Sequence, residues 1–357
     1  MHTLKVNLAE RSYLIHIGQG LLCQVGVAMQ DKGYSRKALV ISQKTIFELY
    51  GEKLAAGLAA AGFTANIMLL PDGEQAKTIE VLQGLYDEAI SHDLDRRSPV
   101  IALGGGVVGD VAGFFAATYM RGVPFIQVPT TLLAQVDSSV GGKVAVNHRQ
   151  AKNLIGAFYQ PDFVIADLDT LKSLPVREYK SGLAEVIKYG VIWDEAFFEY
   201  LEGHRQDLLS YKADTLMQVV HKCCAIKAAV VEKDERDAGL RQVLNFGHTM
   251  GHALETITGY ACWLHGEAVA IGMAAAADIA AAFGFMPKNE NLRLKEILGE
   301  YGFPTAIPDE ISKIELVDNA IHDKKAVQNK ITLILPEKIG RVIIHRCTPA
   351  ELLEVWL

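Results

Sequence analysis

Hydrophobic positions in the first third of the chain fall into short continuous runs, separated by longer stretches of helical periodicity. Residues 5–8 and 13–17 predict short strands. The run at 38–42 predicts a strand buried on both faces. Residues 66–70 predict a second buried strand, closed by the turn signal Pro71-Asp72-Gly73. A third and a fourth are predicted at 100–103 and 125–128, while 46–61 and 78–91 carry helical periodicity, the first ended by Gly62. Such alternation predicts a parallel, layered α/β sheet.

The pattern changes near 171–175. Helical stretches then dominate, at 177–202, 213–233, 245–257, 267–283 and 289–301, and a short β-rich piece returns at 331–335 and 342–345. A boundary near residue 175 gives domains of 1–175 and 176–357, in line with about 150 residues per domain.

Composition sharpens this picture. Half the residues are hydrophobic and 22% are charged, so the chain can bury large cores and is not of the disordered class. A net charge of −7 excludes a general nucleic-acid binder. The first six residues lack the apolar region of a signal peptide. The longest apolar run, 268–285, is Ala-rich and interrupted by Asp278, which suits an interior helix better than a membrane span. Five cysteines without a Cys-x-x-Cys indicate reduced thiols in a cytosolic protein. Any metal is then held by His and carboxylate.

Three motifs carry candidate chemistry. Gly104-Gly105-Gly106-Val107-Val108-Gly109-Asp110 lies between the third strand and a helix expected over 111–120. Glycines let backbone approach a pyrophosphate, and N–H groups at a helix start favour an anion. No acidic residue follows about twenty positions later to grip a ribose. Asp72-Gly73-Glu74-Gln75-Ala76-Lys77 is placed to share the nucleotide. A basic set suited to phosphate or carboxylate comprises Lys143 after Gly141-Gly142, Lys152, Lys188, Lys227, Arg241 and Lys324-Lys325. Finally, His248 and His252 stand four apart, so a helix puts them on one face, which Glu255 extends. With His265 and Glu267 nearby, spacing alone pairs His248 with His252 as metal ligands.

Over essentially its whole length the chain resembles the 3-dehydroquinate synthases. The resemblance rests on the segments at 71–75, 104–110, 128–143 and 182–190, on the His248/His252 stretch, and on His265-Gly266-Glu267. It implies an N-terminal α/β nucleotide-binding domain with a Rossmann-like parallel sheet and a mainly α-helical C-terminal metal-binding domain, with the active site in the cleft. It also implies a cytoplasmic homodimer with no nucleic-acid or membrane partner. The implied reaction converts a sugar acid phosphate, 3-deoxy-D-arabino-heptulosonate 7-phosphate, into 3-dehydroquinate and phosphate, in the shikimate route to aromatic amino acids. It would run through hydride transfer to NAD+, phosphate elimination, hydride return and aldol closure. The alternatives are another sugar phosphate cyclase, whose substrate lacks the carboxylate, and a metal-dependent NAD alcohol dehydrogenase.

The resemblance assigns one Zn2+ or Co2+ to Glu185, His248 and His265, and moves His252 to the substrate. Nucleotide positions fall on Asp72, Gly73, Glu74, Gln75, Ala76, Lys77, Gly106, Val107, Val108, Gly109, Asp110, Thr130, Thr131, Thr170, Leu171, Lys172 and Ser173. Lys143 and Lys152 are shared between nucleotide and substrate. Catalytic positions fall on Asp137, Lys143, Asn153, Lys188 and His252. Substrate positions fall on Lys152, Lys227, Arg241, Asn245 and Lys325 (or Lys324), with Arg121 reaching the neighbouring subunit. Where the family often carries Asp or Asn in the turn after the first nucleotide-domain strand, this chain has Ser42-Gln43.

Overall fold

The computed structural model describes residues 1–321 and 330–357. It divides into two compact units, the first comprising Met1–Pro175 and Leu216–Glu232, the second Val176–Thr215 and Lys233–Leu357. Residues 216–232 thus group with the residues before 176.

The first unit is built on a seven-stranded sheet ordered β1-β2-β9-β6-β5-β3-β4. These are β1 (His2–Val6), β2 (Tyr13–Gly18), β3 (Lys37–Gln43), β4 (Thr64–Leu70), β5 (Val100–Gly104), β6 (Phe125–Pro129) and β9 (Phe163–Asp167). All neighbours pair in parallel except β1 with β2. Helices α1 (Val25–Met29), α2 (Lys44–Ala60), α3 (Ile79–Ser91) and α4 (Gly106–Thr118) accompany it, with a separate antiparallel hairpin of β7 (Lys143–His148) and β8 (Ala151–Phe158). The continuous apolar runs have a direct cause. On β3, Leu39 and Ile41 enter one core with Leu85, Val111 and Phe115, whereas Ala38 and Val40 enter another with Leu54 and Leu58. With both faces covered, no polar alternation survives.

Several boundaries differ from the sequence reading. The helix expected from 111 starts at Gly106, so the glycine motif is the helix's own N-terminus. The stretch 177–202 is two helices, α5 (Val176–Trp193) and α6 (Glu195–Gly203). The break is Asp194, whose carboxylate accepts from the Phe197 N–H as an N-cap. Strand β9, a fully buried apolar run, and the β7–β8 hairpin add to the expected strands.

The second unit adds α7 (Arg205–Leu209), the ends of α8 (Ala213–Lys233), α9 (His248–Ile257), α10 (His265–Ala282), α11 (Lys288–Glu300) and α12 (Lys313–Ile321). The hairpin β10 (Ile331–Lys338)–β11 (Arg341–Cys347) and α13 (Pro349–Trp356) complete it. Helix α10 is its axis, with most of its Ala-rich surface buried and α5, α9 and β10 packed against it. Small side chains allow backbones to approach closely. The helix expected from 245 starts at His248, after Gly247 in the left-handed region at φ 78°; a Cβ there would lie 2.6 Å from Met273 Cγ. No helix among the described residues is long and apolar enough to cross a membrane.

Candidate active site

The parallel sheet gathers four segments at one edge. The C-terminal ends of β4, β5, β6 and β9 lead into 71–77, 105–110, 130–131 and 168–173 respectively. That edge is where open α/β sheets bind ligands. Gly105 is the N-cap of α4, and the first backbone bond back into the helix is from Gly109 N–H to Gly105 O, at 3.1 Å. The N–H groups of Gly106, Val107 and Val108 therefore lack helical partners and face the helix start. Cβ atoms at Gly105 and Gly106 would come within 3.1 Å of Thr131 Cγ2 and 3.2 Å of Ser138 Oγ. Val108 and Gly109 are buried beneath this start.

Lys77 is the buried centre of this edge. Its ammonium lies 2.7 Å from Asp110 Oδ2, contacts Asn153 Oδ1, and sits 3.7 Å from Glu74 Oε1. Burial pushes the Asp110 carboxyl above its usual range, and Lys77 pulls it back. Asp72, Gly73, Glu74 and Gln75 are exposed, and Ala76 is in the core. Gln43 donates to Pro71 O at 3.0 Å and so braces this turn. Thr130 is buried with an unpartnered Oγ1, and Thr131 Oγ1 accepts from Ala134 N–H. Thr170 is held by Gln135, which donates to its Oγ1 at 3.1 Å. Leu171 is buried, exposed Lys172 pairs with Asp169 at 2.7 Å, and Ser173 Oγ bonds to Tyr50 OH.

Of the anticipated substrate residues in this unit, Lys227 donates to Asp137 Oδ1 at 2.8 Å and to its carbonyl at 2.6 Å. Lys143 stands at the open end of the β7–β8 hairpin, where it pairs with Phe158. Lys152 and Asn153 follow the turn at the other end, so the hairpin does not bring Lys143 to them. Arg121 is exposed, with a left-handed φ of 70°. Lys324 and Lys325 lie outside the described residues.

The second unit assembles the histidines. Glu185, on α5, is fully buried, and neither carboxylate oxygen accepts a hydrogen bond. Its Oε1 is 3.5 Å from His248 Nε2 and 3.7 Å from His265 Nε2, and its Oε2 is ion-paired with Lys188, itself buried. Burying a carboxylate is costly unless something balances it. A divalent ion bonded at about 2.0–2.2 Å would set tetrahedral donors about 3.3–3.5 Å apart. Glu185 Oε1 stands at nearly that spacing from both imidazole nitrogens, and the three donors lie within 4.8 Å of one another, so the donor set fits an ion.

The ring tautomers fit as well. His248 Nδ1 lies 3.1 Å from Phe246 O, which favours a proton there and a lone pair on Nε2. Burial, with Lys188 nearby, holds His248 well below the usual imidazole range. His265 Nδ1 lies 3.5 Å from Glu255 Oε1. Burial lowers His265, but Glu255 and Glu185 outweigh it and hold it above its ordinary value. His252 is half-buried, with ring centroids 5.3 Å from His248 and 5.9 Å from His265. It forms a second donor cluster with Glu255 and His265. Arg241 is buried, donating from Nη1 to Glu235 O at 2.6 Å, while half-buried Asn245 ends the short 3-10 turn Leu240–Asn245.

Arg177 and Ser181 are supports that the sequence does not point to. Glu255 shares the helix face of the histidines, and its place opposite His265 depends on α9 meeting α10. The helix expected from 267 starts at His265, and Glu267 caps it by accepting from Leu264 N–H at 2.9 Å. Arg177, at the start of α5, clamps Glu267 with two bonds of 2.7 Å. Ser181 Oγ accepts from Gly266 N–H at 2.9 Å. The helices carrying Glu185 and His265 are thus locked together beside the ligands.

Comparison with known proteins agrees with both halves. Residues 67–181 match the family model described as 3-dehydroquinate synthase N-terminal, and 182–326 match 3-dehydroquinate synthase C-terminal. A 3-dehydroquinate synthase from Pelotomaculum thermopropionicum is 54% identical over 344 residues, covering 96% of this chain and 93% of that protein. Among solved structures, 2-deoxy-scyllo-inosose synthase complexed with carbaglucose-6-phosphate, NAD+ and Co2+ superposes with a TM-score of 0.91 at 28% identity, covering 99% of each chain. The 2-epi-5-epi-valiolone synthase from Streptomyces hygroscopicus subsp. jinggangensis 5008, with NAD+ and Zn2+ bound, gives 0.87 at 26% identity, covering 98% and 97%. With both family halves matched in order and more than half of its residues shared with a full-length relative, this chain belongs to the 3-dehydroquinate synthase family.

Proposed function

We infer that the chain converts 3-deoxy-D-arabino-heptulosonate 7-phosphate into 3-dehydroquinate and phosphate, as a carbon–oxygen lyase using NAD+ and one divalent metal. The observation that carries this reading is the convergence of donor atoms from Glu185, His248 and His265, with Glu185 Oε1 facing both imidazoles while Oε2 pairs with Lys188. When bound, NAD+ supplies a reversible hydride acceptor and the metal a Lewis acid for substrate hydroxyls. The remaining work belongs to the chain's own residues.

Glu185, His248 and His265 hold the metal, three ligands that leave coordination open to substrate. Segments 72–77, 106–110, 130–131 and 170–173 hold the nucleotide, its pyrophosphate on the free N–H groups of α4. The ammonium groups of Lys143, Lys152, Lys188 and Lys227 and the guanidinium of Arg241 suit the substrate's phosphate and carboxylate. Asp137, Asn153, Asn245 and His252 supply uncharged or anionic partners for its hydroxyls. Lys188 also neutralises Glu185, keeping the buried charge balanced. We place the activity in the cytoplasm, in keeping with five free cysteines, and assign the working form as a homodimer with Arg121 serving the neighbouring subunit.

Substrate class is tested by offering heptulosonate phosphate and glucose 6-phosphate side by side. The reading expects product only from the carboxylate-bearing sugar. Turnover of glucose 6-phosphate alone would reassign the chain to another cyclase reaction.

A further inference from the structure

We propose that Asn147 is a positioning residue that couples the nucleotide turn 72–77 to Asn153. The proposal rests on the reading that this turn holds NAD+ and that Asn153 meets substrate.

The antiparallel register of β7 and β8 slips between Val146 and His148, so Asn147 leaves the ladder. Bulges of this kind re-aim a side chain and release its backbone groups. Here the released backbone N–H and both ends of the side-chain amide have partners. The Asn147 backbone N–H donates to Lys77 O at 2.8 Å. Its Nδ2 donates to Glu74 Oε1 at 2.8 Å. Its Oδ1 accepts from the Asn153 backbone N–H, again at 2.8 Å. Asn153 occupies the left-handed region at φ 53°, which asparagine tolerates but which needs holding in place. Lys77 closes the circuit by reaching Asn153 Oδ1 while pairing with Asp110. Glu74, Asn147, Asn153 and Lys77 thus form one ring of polar contacts, with Asp110 attached.

The consequence follows from the two halves of the Asn147 amide. Nδ2 faces the turn and Oδ1 faces Asn153. Ordering of the turn by nucleotide therefore stiffens the ring that aims Asn153, and the coupling runs both ways because binding linkage is reciprocal. Asn147 acts in this scheme through Glu74, Lys77 and Asn153.

The two halves can be cut separately in the full chain. Asn147→Asp keeps an oxygen for the Asn153 N–H but sets a carboxylate against Glu74. Asn147→Ala removes both side-chain links and leaves the backbone bond to Lys77. NAD+ affinity is measured by calorimetry, and KM for heptulosonate phosphate at saturating NAD+. We expect N147D to weaken NAD+ by about five-fold or more with KM within about two-fold of the parent. N147A should weaken NAD+ and also raise KM by about five-fold or more. A structural lesion would move both constants together in both variants. That pattern, or parental constants in N147D and N147A, or any other split, overturns the proposal. A parent chain that binds no NAD+ would remove the nucleotide reading and this proposal with it. Binding by the parent with unmoved variants removes this proposal alone.

Discussion

Gly266 separates the account from a looser one in which the histidines merely lie near each other. A Cβ at 266 would fall 2.6 Å from the Ser181 carbonyl carbon and 2.8 Å from its Cα, with the carbonyl oxygen nearer still. Ordinary contact begins near 3.4 Å. Gly266→Ala must therefore push α10 from α5 by at least about 0.8 Å, at a cost of roughly 1–3 kcal/mol for overpacking. His265 is the adjacent residue, and Glu185 lies one turn beyond Ser181. Their donor atoms are 3.7 Å apart now. Transmitted along that line, the shift takes them to about 4.5 Å. Even a linear arrangement of zinc–nitrogen and zinc–oxygen bonds spans only about 4.3 Å. G266A should lose at least about ten-fold in Zn2+ affinity, read by competition with a chromophoric chelator, while circular dichroism shows a folded chain. A folded G266A protein that binds Zn2+ as tightly as the parent would refute the idea that close packing of α5 and α10 builds the site.

Other consequences follow from the same geometry. Glu255→Ala should weaken Zn2+ by about 10–100-fold by releasing the His265 ring, with Glu255→Gln between it and the parent; parental affinity in E255A would dismiss the contact. In the metal-free protein His248 is held well below its ordinary value and loses its proton first, whereas His265 is held above its own and keeps its proton to higher pH. Zn2+ affinity should thus rise by about ten-fold per pH unit until His265 has lost its proton, above the pH where an ordinary imidazole does, and then level off, with one proton released. A slope of two protons there would contradict the assignment. Arg241→Ala should lower kcat/KM by roughly 10–100-fold, mainly through KM, because the proposed substrate role rests on its buried charged donor; unchanged KM and kcat would remove Arg241 from the site.

Much of the first unit was legible because its strands are buried on both faces and write themselves as unbroken apolar runs. Strand β9 is equally apolar and could have been read by the same rule. The β7–β8 hairpin writes a weaker signal, since β7 buries only Val144 and Val146 and β8 buries no residue fully. Asp194 splits a helix that periodicity alone continues, because a side-chain cap acts on one N–H and leaves the apolar pattern intact. The i, i+4 spacing of His248 and His252 does place their rings side by side. Which third group completes a ligand set depends on helix packing. Glu185 lies some sixty residues upstream, and it meets His265 and His248 because α5 and α9 both pack on α10. Glu255, Asn147 and Arg177 are supports whose meaning depends on what they face, and one-dimensional spacing carries no trace of that.

The central claim is that oxidation is transient and phosphate leaves the substrate. The most direct measurement follows released phosphate and NADH absorbance together, with purified protein, NAD+, Zn2+ and heptulosonate phosphate. The account predicts stoichiometric phosphate and 3-dehydroquinate with no accumulation of NADH. Accumulating NADH without phosphate would contradict it and make the chain a dehydrogenase.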